Sequence, residues 1–147
     1  MKKILPTNKK SMITLYPHHS LPLSIPCINE NTIGWYMNSF INVFYRYEYP
    51  TVYDYTDYLC FYTGAMDVDT LTVSTAMNYI NKDSFVSFIK NNKYIYAWGD
   101  QYYISATEFY HKEHNIHPIL VYGYDLDESV YYCKCFSVLK SVYDAKI

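Results

Sequence analysis

The spacing of hydrophobic residues changes midway along the chain. In residues 29–46, apolar side chains recur every three or four positions, which predicts an amphipathic helix with one broad buried face. Asn29 or Asn31 is a candidate N-cap, and Pro50 sets the latest point at which this helix can end. The apolar positions are Ile33, Tyr36, Met37, Phe40, Val43 and Phe44. We therefore expect this segment to be the central helix of the domain.

The middle of the chain has a less distinctive pattern. Residues 51–64 fit a helix or a strand equally well, and residues 69–80 predict either a short strand or a short helix. Residues 83–91 predict a second helix, with Asp83 or Ser84 as its cap. The apolar face of that helix consists of Phe85, Val86, Phe88 and Ile89.

From residue 93 onward, the pattern is typical of strands joined by turns. The predicted strands are 94–98, 101–104, 119–124 and 130–136. A hairpin turn at 125–128 joins the last two of these strands, and residues 107–112 predict a single helical turn. We expect the last residues of the chain to be helical.

Four prolines shape the beginning of the chain, at Pro6, Pro17, Pro22 and Pro26. Repeated proline favours extended backbone, so residues 1–26 are predicted to be an extended lead-in. Helices then precede strands, an order that indicates an α+β fold with N-terminal helices packed on an antiparallel sheet. A length of 147 residues fits a single domain over 1–147.

Composition narrows the classes of function. The net charge is −2 and Arg46 is the single arginine, so we expect no nucleic-acid partner. No apolar run approaches the ~18 residues of a membrane span, and no signal peptide is recognisable, which predicts a cytoplasmic protein with reduced cysteines. The 20 tyrosines reflect either an AT-rich coding bias or aromatic contact surfaces. Such surfaces would suit a second copy of the chain or a protein partner.

Cys27 and His117 are the candidate nucleophile and base. Cys27 lies just before the predicted helix, whose N-terminus would stabilise a thiolate and offer free backbone N–H groups to an oxyanion. His117 lies at the head of a predicted strand, where it would be held firmly and could activate a thiol. Judged on composition alone, an inert buried cysteine and a structural histidine are the better interpretations.

Two segments resemble a known family. The sequence from His117 to Asp125, which reads His-Pro-Ile-Leu-Val-Tyr-Gly-Tyr-Asp, is similar to the strand that carries the catalytic histidine in papain-like enzymes, especially bacteriocin-processing peptidases. Residues 16–25 and 35–41 resemble the N-terminal part of butirosin-H-like proteins. Within that group, the chain is most similar to the small cysteine-protease-like, amide-forming enzymes of closthioamide assembly.

This resemblance implies a papain-like fold and amide formation by acyl transfer. An acyl chain, which in this family can be thioamidated, would arrive as a thioester on an acyl or peptidyl carrier protein. Cys27 would accept the acyl group and a small diamine would release it, with His117 as base. We expect no cofactor, and the spacing of the cysteines and the lack of a long apolar run predict neither a metal site nor a membrane partner. The resemblance names neither the donor nor the amine.

The sequence departs from the papain pattern at two points. Position 21, six residues before Cys27, is Leu21 where papain-like enzymes have the glutamine that stabilises the oxyanion. Ser24, His19 and His18 are the nearby polar alternatives. The strand after His117 lacks the usual Asn or Asp, and Asp100 is a candidate for that orienting role. A cysteine peptidase or amidase, and a non-catalytic module that docks a carrier protein, therefore remain open as alternatives.

Overall fold

The computed structural model describes residues 1–8, 17–25, 32–35, 66–69, 71–137 and 140–147. Cys27, residues 51–64 and most of the predicted helix 29–46 lie outside these ranges. Within the described part, the fold is α+β, with short helices and an antiparallel sheet. That much of the predicted architecture is confirmed.

Helices and strands follow one another in the order β1, α1, α2, α3, α4, β2, β3, β4, β5 through the described ranges. The helices are α1 (Pro17–Leu23), α2 (Thr32–Trp35), α3 (Val73–Tyr79) and α4 (Lys82–Lys90), with a 3-10 helix at Gln101–Tyr103 after β2. The strands are β1 (Lys2–Ile4), β2 (Ile95–Asp100), β3 (Ile116–Asp125), β4 (Val130–Ser137) and β5 (Ser141–Lys146).

β3 is the central strand of the sheet. β4 pairs along one edge of β3, and β5 pairs with β4. The other edge of β3 is shared, because β2 pairs with residues 116–121 and β1 pairs with residues 123–125. All of these pairings are antiparallel, and the β3–β4 pairing has a register shift between Val121 and Gly123. The first half of β3, where His117 lies, is therefore bordered by β2.

One face of the sheet carries the main hydrophobic core. Alternate residues of a strand point to opposite faces, so Val121 and its register partner Cys133 share a face. Helix α4 covers that face with Val86 and Ile89. The other buried members of this cluster are Leu5, Ile104, Ile119, Tyr122, Tyr124, Cys135 and Ala145.

The opposite face is covered by α1, which contacts β3, β4 and β5. Leu21 and Leu23 of this helix are almost completely buried, as is Leu120. Lys134, the register partner of Leu120, is 1% exposed although it carries a charge. Its Nζ lies 2.8 Å from Oδ1 of Asp144, and this carboxylate also accepts a hydrogen bond from the Tyr122 hydroxyl. The ion pair compensates for burying the ammonium group.

Part of the predicted lead-in is helical. β1 is extended, in keeping with the expectation for residues 1–26, but Pro17–Leu23 forms α1. Proline suits the first position of a helix, since its missing N–H would have no partner there. Burial of Ser20, Leu21, Pro22 and Leu23 against the sheet stabilises a helix that is too short to be stable alone.

The structure corrects three further predictions about elements. Gln101–Tyr103 is a 3-10 helix and not a strand, because the Asp100 side chain accepts from the Tyr102 N–H and caps it. Residues 107–112 form turns without a helix. The chain ends in a strand, β5, because pairing with β4 satisfies its backbone groups.

The predicted helix at 83–91 is confirmed, but its cap is Asn81 and not Asp83 or Ser84. The Asn81 side chain accepts from the Ser84 N–H, and the Ser84 side chain accepts from the Asn81 N–H. This capping box satisfies two N–H groups at the helix start that would otherwise lack partners. Residues 69–80, for which strand and helix were both open, form α3 with Thr72 as its cap.

Across the ranges given above, no helix is long and apolar enough to cross a membrane.

Candidate functional site

His117 is the second residue of β3 and pairs in register with Gly99 of β2. The strand begins one residue before His117, at Ile116, so the histidine lies within the sheet. Pro118, which follows it, is buried, and the imidazole itself is half-buried. Backbone pairing on the β2 side and a buried neighbour hold the backbone of His117 in place at the start of the strand.

The surroundings of His117 favour its neutral form. Burial lowers the pKa of the imidazole below its usual value of 6.5, and this effect outweighs an opposing hydrogen bond with the backbone of Pro118. Its Nδ1 is buried and has no hydrogen-bond partner among the described residues. The ring lies parallel to that of Phe136, with the centroids 6.2 Å apart. A neutral histidine with an unused ring nitrogen can accept a proton.

Helix α1 brings two more histidines to this end of the sheet. His18 lies close enough to His117 that a positive charge on one disfavours a charge on the other. Burial is the main reason why the pKa of His18 is lowered, and the charge of His117 adds to it. The His18 ring lies 6.0 Å from that of Trp98. The pKa of His19 is lowered by burial and then by the charge of His18.

His18 and His19 were considered in the sequence only as neighbours of Cys27. Their approach to His117 depends on α1 lying across the sheet, and no local pattern announces it. The arrangement groups three half-buried imidazoles, of which all have a lowered pKa because of burial.

Ser24 and Leu21 lie at the end of α1 and are both buried. The Ser24 hydroxyl donates to the Leu21 carbonyl oxygen at 2.6 Å, and the Ser24 N–H donates to the same oxygen at 3.1 Å. The hydroxyl proton therefore closes a turn after the helix. The Leu21 side chain is 0% exposed and belongs to the hydrophobic layer under α1, so it offers no polar group at the position where the resemblance implied a glutamine.

Both carboxylate oxygens of Asp100, at the end of β2, have hydrogen-bond partners. Its Oδ2 lies 2.6 Å from Nδ1 of His114, and its Oδ1 accepts from the N–H groups of Tyr102 and Asn115. Hydrogen bonds with the side chain of His114 and with these backbone groups lower the pKa of the carboxyl against the effect of burial. The histidine that this carboxylate contacts is thus His114. No hydrogen bond between Asp100 and His117 occurs in the described ranges.

A cavity of about 220 Å³ adjoins His117. Gln101 contributes to its wall and is 2% exposed. The remaining lining residues are Thr107, Glu108, Phe109, Asn115, Phe136, Ser137 and Tyr143. Sequence reasoning did not single out Gln101, although it is the only glutamine of the chain and follows the predicted strand end at Gly99–Asp100.

Cys27, the candidate nucleophile, lies outside the described residues. Cys133 and Cys135 are free thiols with their Sγ atoms 3.8 Å apart, on one face of β4 as their spacing predicts. Among the described residues, no three His, Cys, Asp or Glu side chains are arranged to hold a metal ion.

The fold and site together define an α+β protein whose antiparallel sheet carries a half-buried histidine beside a small cavity. Comparison of the chain with protein-family models, with curated proteins and with solved structures found no match.

Proposed function

We propose that this protein is a cysteine-dependent acyltransferase that forms an amide bond between a carrier-bound acyl chain and a diamine in natural-product biosynthesis. The observation that carries the proposal is the state of His117. It is half-buried, its pKa is lowered so that it is neutral near pH 7, and its Nδ1 lacks a partner among the described residues. A general base must be unprotonated at the working pH and have a ring nitrogen available for a proton.

The arrangement of elements supports a papain-like version of the α+β fold. His117 lies at the start of β3, and a hairpin at the end of β3 leads into β4. Helix α1 packs on β3 and ends at Leu23, four residues before Cys27 in the sequence. In this proposal, that short connection keeps the Cys27 thiol within reach of the His117 strand.

The chemistry would proceed in two transfers. The Cys27 thiol gives its proton to His117, and the thiolate attacks the thioester carbonyl, expelling the carrier thiolate, which takes the proton. The amine then attacks the enzyme thioester, His117 accepts the amine proton, and the Cys27 thiolate leaves as the amide forms. A thioester is already activated, so the missing glutamine at Leu21 matters less than it would for peptide hydrolysis.

The partners in this proposal are an acyl or peptidyl carrier protein and a small diamine. Neither nucleic acid nor a membrane takes part, in keeping with a net charge of −2 and a single arginine. The reaction needs no metal or cofactor, because the thiol and the imidazole supply the nucleophile and the base. We further propose that the protein works in the cytoplasm.

The test is the intact mass of the protein after incubation with a small acyl thioester. We expect wild type to gain one acyl group and to lose it when a diamine is added. Cys27→Ala should gain none, and Cys60→Ala, as the matched cysteine control, should behave as wild type. His117→Asn should slow both acylation and release.

Either of two results would contradict this function. One is an adduct that persists in Cys27→Ala, and the other is the absence of any adduct on wild type with acyl thioesters of several chain lengths. Release of free acid at the same rate with and without diamine would assign a hydrolase in place of a transferase.

Exposed apolar side chains favour a second candidate, a non-catalytic docking module. Trp98 is 50% and Ile116 58% exposed, on neighbouring strands beside His117. Tyr103, in the 3-10 helix that follows β2, is also exposed. Exposed apolar groups of this kind suit a protein partner. If the protein only docks a carrier, Trp98→Ala should weaken carrier binding while Cys27→Ala leaves it unchanged and no adduct forms.

A further inference from the structure

The cavity beside His117 has a polar group that is fixed in place and not fully used. Oε1 of Gln101 accepts a hydrogen bond of 2.8 Å from Nδ2 of Asn115. The Gln101 N–H donates to the Asn115 carbonyl oxygen, so two bonds join these residues. The Gln101 carbonyl oxygen accepts from Thr107 Oγ1. With its backbone and one end of its amide held, the Gln101 side chain has little freedom to rotate.

The other end of the same amide has no partner among the described residues. No hydrogen bond within the described part of the chain reaches Nε2 of Gln101, although the residue is 2% exposed and lines the cavity. Nε2 is not one of the fully buried polar atoms, so it is accessible from the cavity, where a ligand acceptor can replace water as its partner. The group therefore selects for a carbonyl or similar oxygen.

The other residues that line the cavity indicate the size and polarity of the rest of the ligand. Phe109, Phe136 and Tyr143 supply aromatic surface, which favours an apolar and flat body. Burial raises the pKa of Tyr143 to about 12, so its hydroxyl stays protonated. About 220 Å³ is smaller than the pockets that hold drug-sized molecules, so the ligand is small.

Charge also discriminates among ligands. Of the described lining residues, Glu108 is the one with a full charge, and it is exposed. A carboxylate ligand would meet this negative charge without a cationic partner in the wall. An ammonium ligand would leave Nε2 of Gln101 without an acceptor. An uncharged carbonyl group satisfies the donor and meets no opposing charge.

We propose that the cavity formed by Gln101, His117, Phe136 and Tyr143 is a binding site for a small, uncharged carbonyl compound with an apolar body, such as a neutral amide. Its carbonyl oxygen accepts from Nε2 of Gln101, and its body lies between the aromatic rings. The proposal rests on the cavity and on the Gln101 amide, and it depends neither on Cys27 nor on acyl transfer.

The test uses three probes of nearly the same shape: benzamide, benzoate and benzylamine. Because Gln101 is the only glutamine, labelling of glutamine side chains with ¹⁵N gives a single Nε2 amide pair in the NMR spectrum. We expect benzamide to shift this pair in a saturable manner. Benzylamine lacks an acceptor and should bind about three- to tenfold more weakly, which corresponds to one uncharged hydrogen bond. Benzoate keeps an acceptor, but its negative charge near Glu108 should weaken its binding by a similar factor.

Gln101→Glu keeps the size of the side chain and an acceptor for Asn115 while it removes the donor. We expect this substitution to lower the affinity for benzamide about three- to tenfold, as measured by ligand-detected NMR. Asn78→Asp, an amide-to-acid change at an exposed position of α3, is the matched control and should bind as wild type. If Gln101→Glu does not fold, the three-probe series on wild type decides.

The proposal is overturned if none of the probes shifts the Gln101 amide, if all three shift it equally, or if Gln101→Glu binds benzamide as wild type does. Tighter binding of benzylamine than of benzamide would assign a cation site and would also overturn it. Because Cys27→Ala should bind benzamide normally, failure of the acyl-transfer test and failure of this one can be told apart.

Discussion

At the scale of single residues, His117 shows how far position in the sequence predicts environment. Its place at the head of an apolar strand, before proline, predicted a rigidly held histidine. Half-burial, the parallel Phe136 ring and the nearby His18 follow from strands and a helix that are distant in sequence. The position of the histidine at the head of a strand was predictable, whereas the protonation state of its ring depends on the side chains that pack around it.

The lowered pKa of His117 has a consequence for stability. The unfolded chain binds a proton near pH 6.5, while the folded protein binds it only at lower pH. The unfolded state therefore binds more protons in this window, and stability falls as pH decreases from above 6.5 toward the folded pKa. We expect His117→Asn to lose less stability than wild type between about pH 7.5 and about pH 5.5.

Urea unfolding at the two pH values measures this difference. His111→Asn is the control, because His111 is exposed and asparagine tolerates its left-handed backbone, with φ of 54°. It should show the pH dependence of wild type. An equal loss of stability in His117→Asn and wild type would contradict the lowered pKa.

The burial of Lys134 could not be predicted from its residue type. A lysine between two cysteines on an apolar strand suggests an exposed position, yet its ammonium is buried against Asp144 and beneath the Tyr122 ring. The register that pairs Lys134 with Asp144 brings the charges together. Since that register belongs to the β4–β5 pair, the sequence of β4 by itself could not predict the ion pair.

At the scale of elements, the longest elements of the described ranges were predicted correctly and several shorter ones were not. The pattern of β3, the turn and β4 identified the hairpin, and the apolar face of 83–91 identified α4. α1, the 3-10 helix and β5 were missed or assigned to the wrong type. Each has seven residues or fewer and depends on contacts with distant segments for its stability.

The junction of β1 with β3 depends on Gly123. A Cβ at this position would lie 3.0 Å from the Lys3 carbonyl oxygen and 3.2 Å from Ile4 Cα. Because both are backbone atoms, the strands would have to separate. We expect Gly123→Ala to lower the free energy of unfolding by about 1–3 kcal/mol. Urea denaturation would measure it.

Gly34→Ala is the control for this substitution, because a Cβ there has nothing within 4 Å. Alanine in place of an exposed helical glycine should leave stability unchanged or raise it by up to about 1 kcal/mol. If the two variants were equally stable, close approach of β1 would not be the reason for glycine at position 123.

At the scale of the whole molecule, the two cysteines of β4 lie buried between the sheet and helix α4. Cys133 and Cys135 are both 0% exposed within the core that α4 covers. Their hydrogen bond and their burial both raise the pKa of Cys133, which suppresses the reactive thiolate. The two thiols should therefore react only when the sheet opens.

Iodoacetamide labelling followed by peptide mass spectrometry tests this expectation. Modification of the peptide with Cys133 and Cys135 should be slow in the native protein and should accelerate with urea in step with global unfolding. Complete labelling in denaturant is the control for reagent access. Rapid labelling without denaturant would show that the sheet opens locally or that the layer over it is loose.

The sequence by itself determined the α+β class, the β3–β4 hairpin, helix α4 and the histidine at the head of β3. These follow from hydrophobic periodicity and turn chemistry, which act over a few neighbouring residues. Only the tertiary structure decided that α1 is a helix, that His18 and Gln101 accompany His117, and that Lys134 is buried. Those outcomes depend on packing between segments far apart in the chain, where burial outweighs local preference.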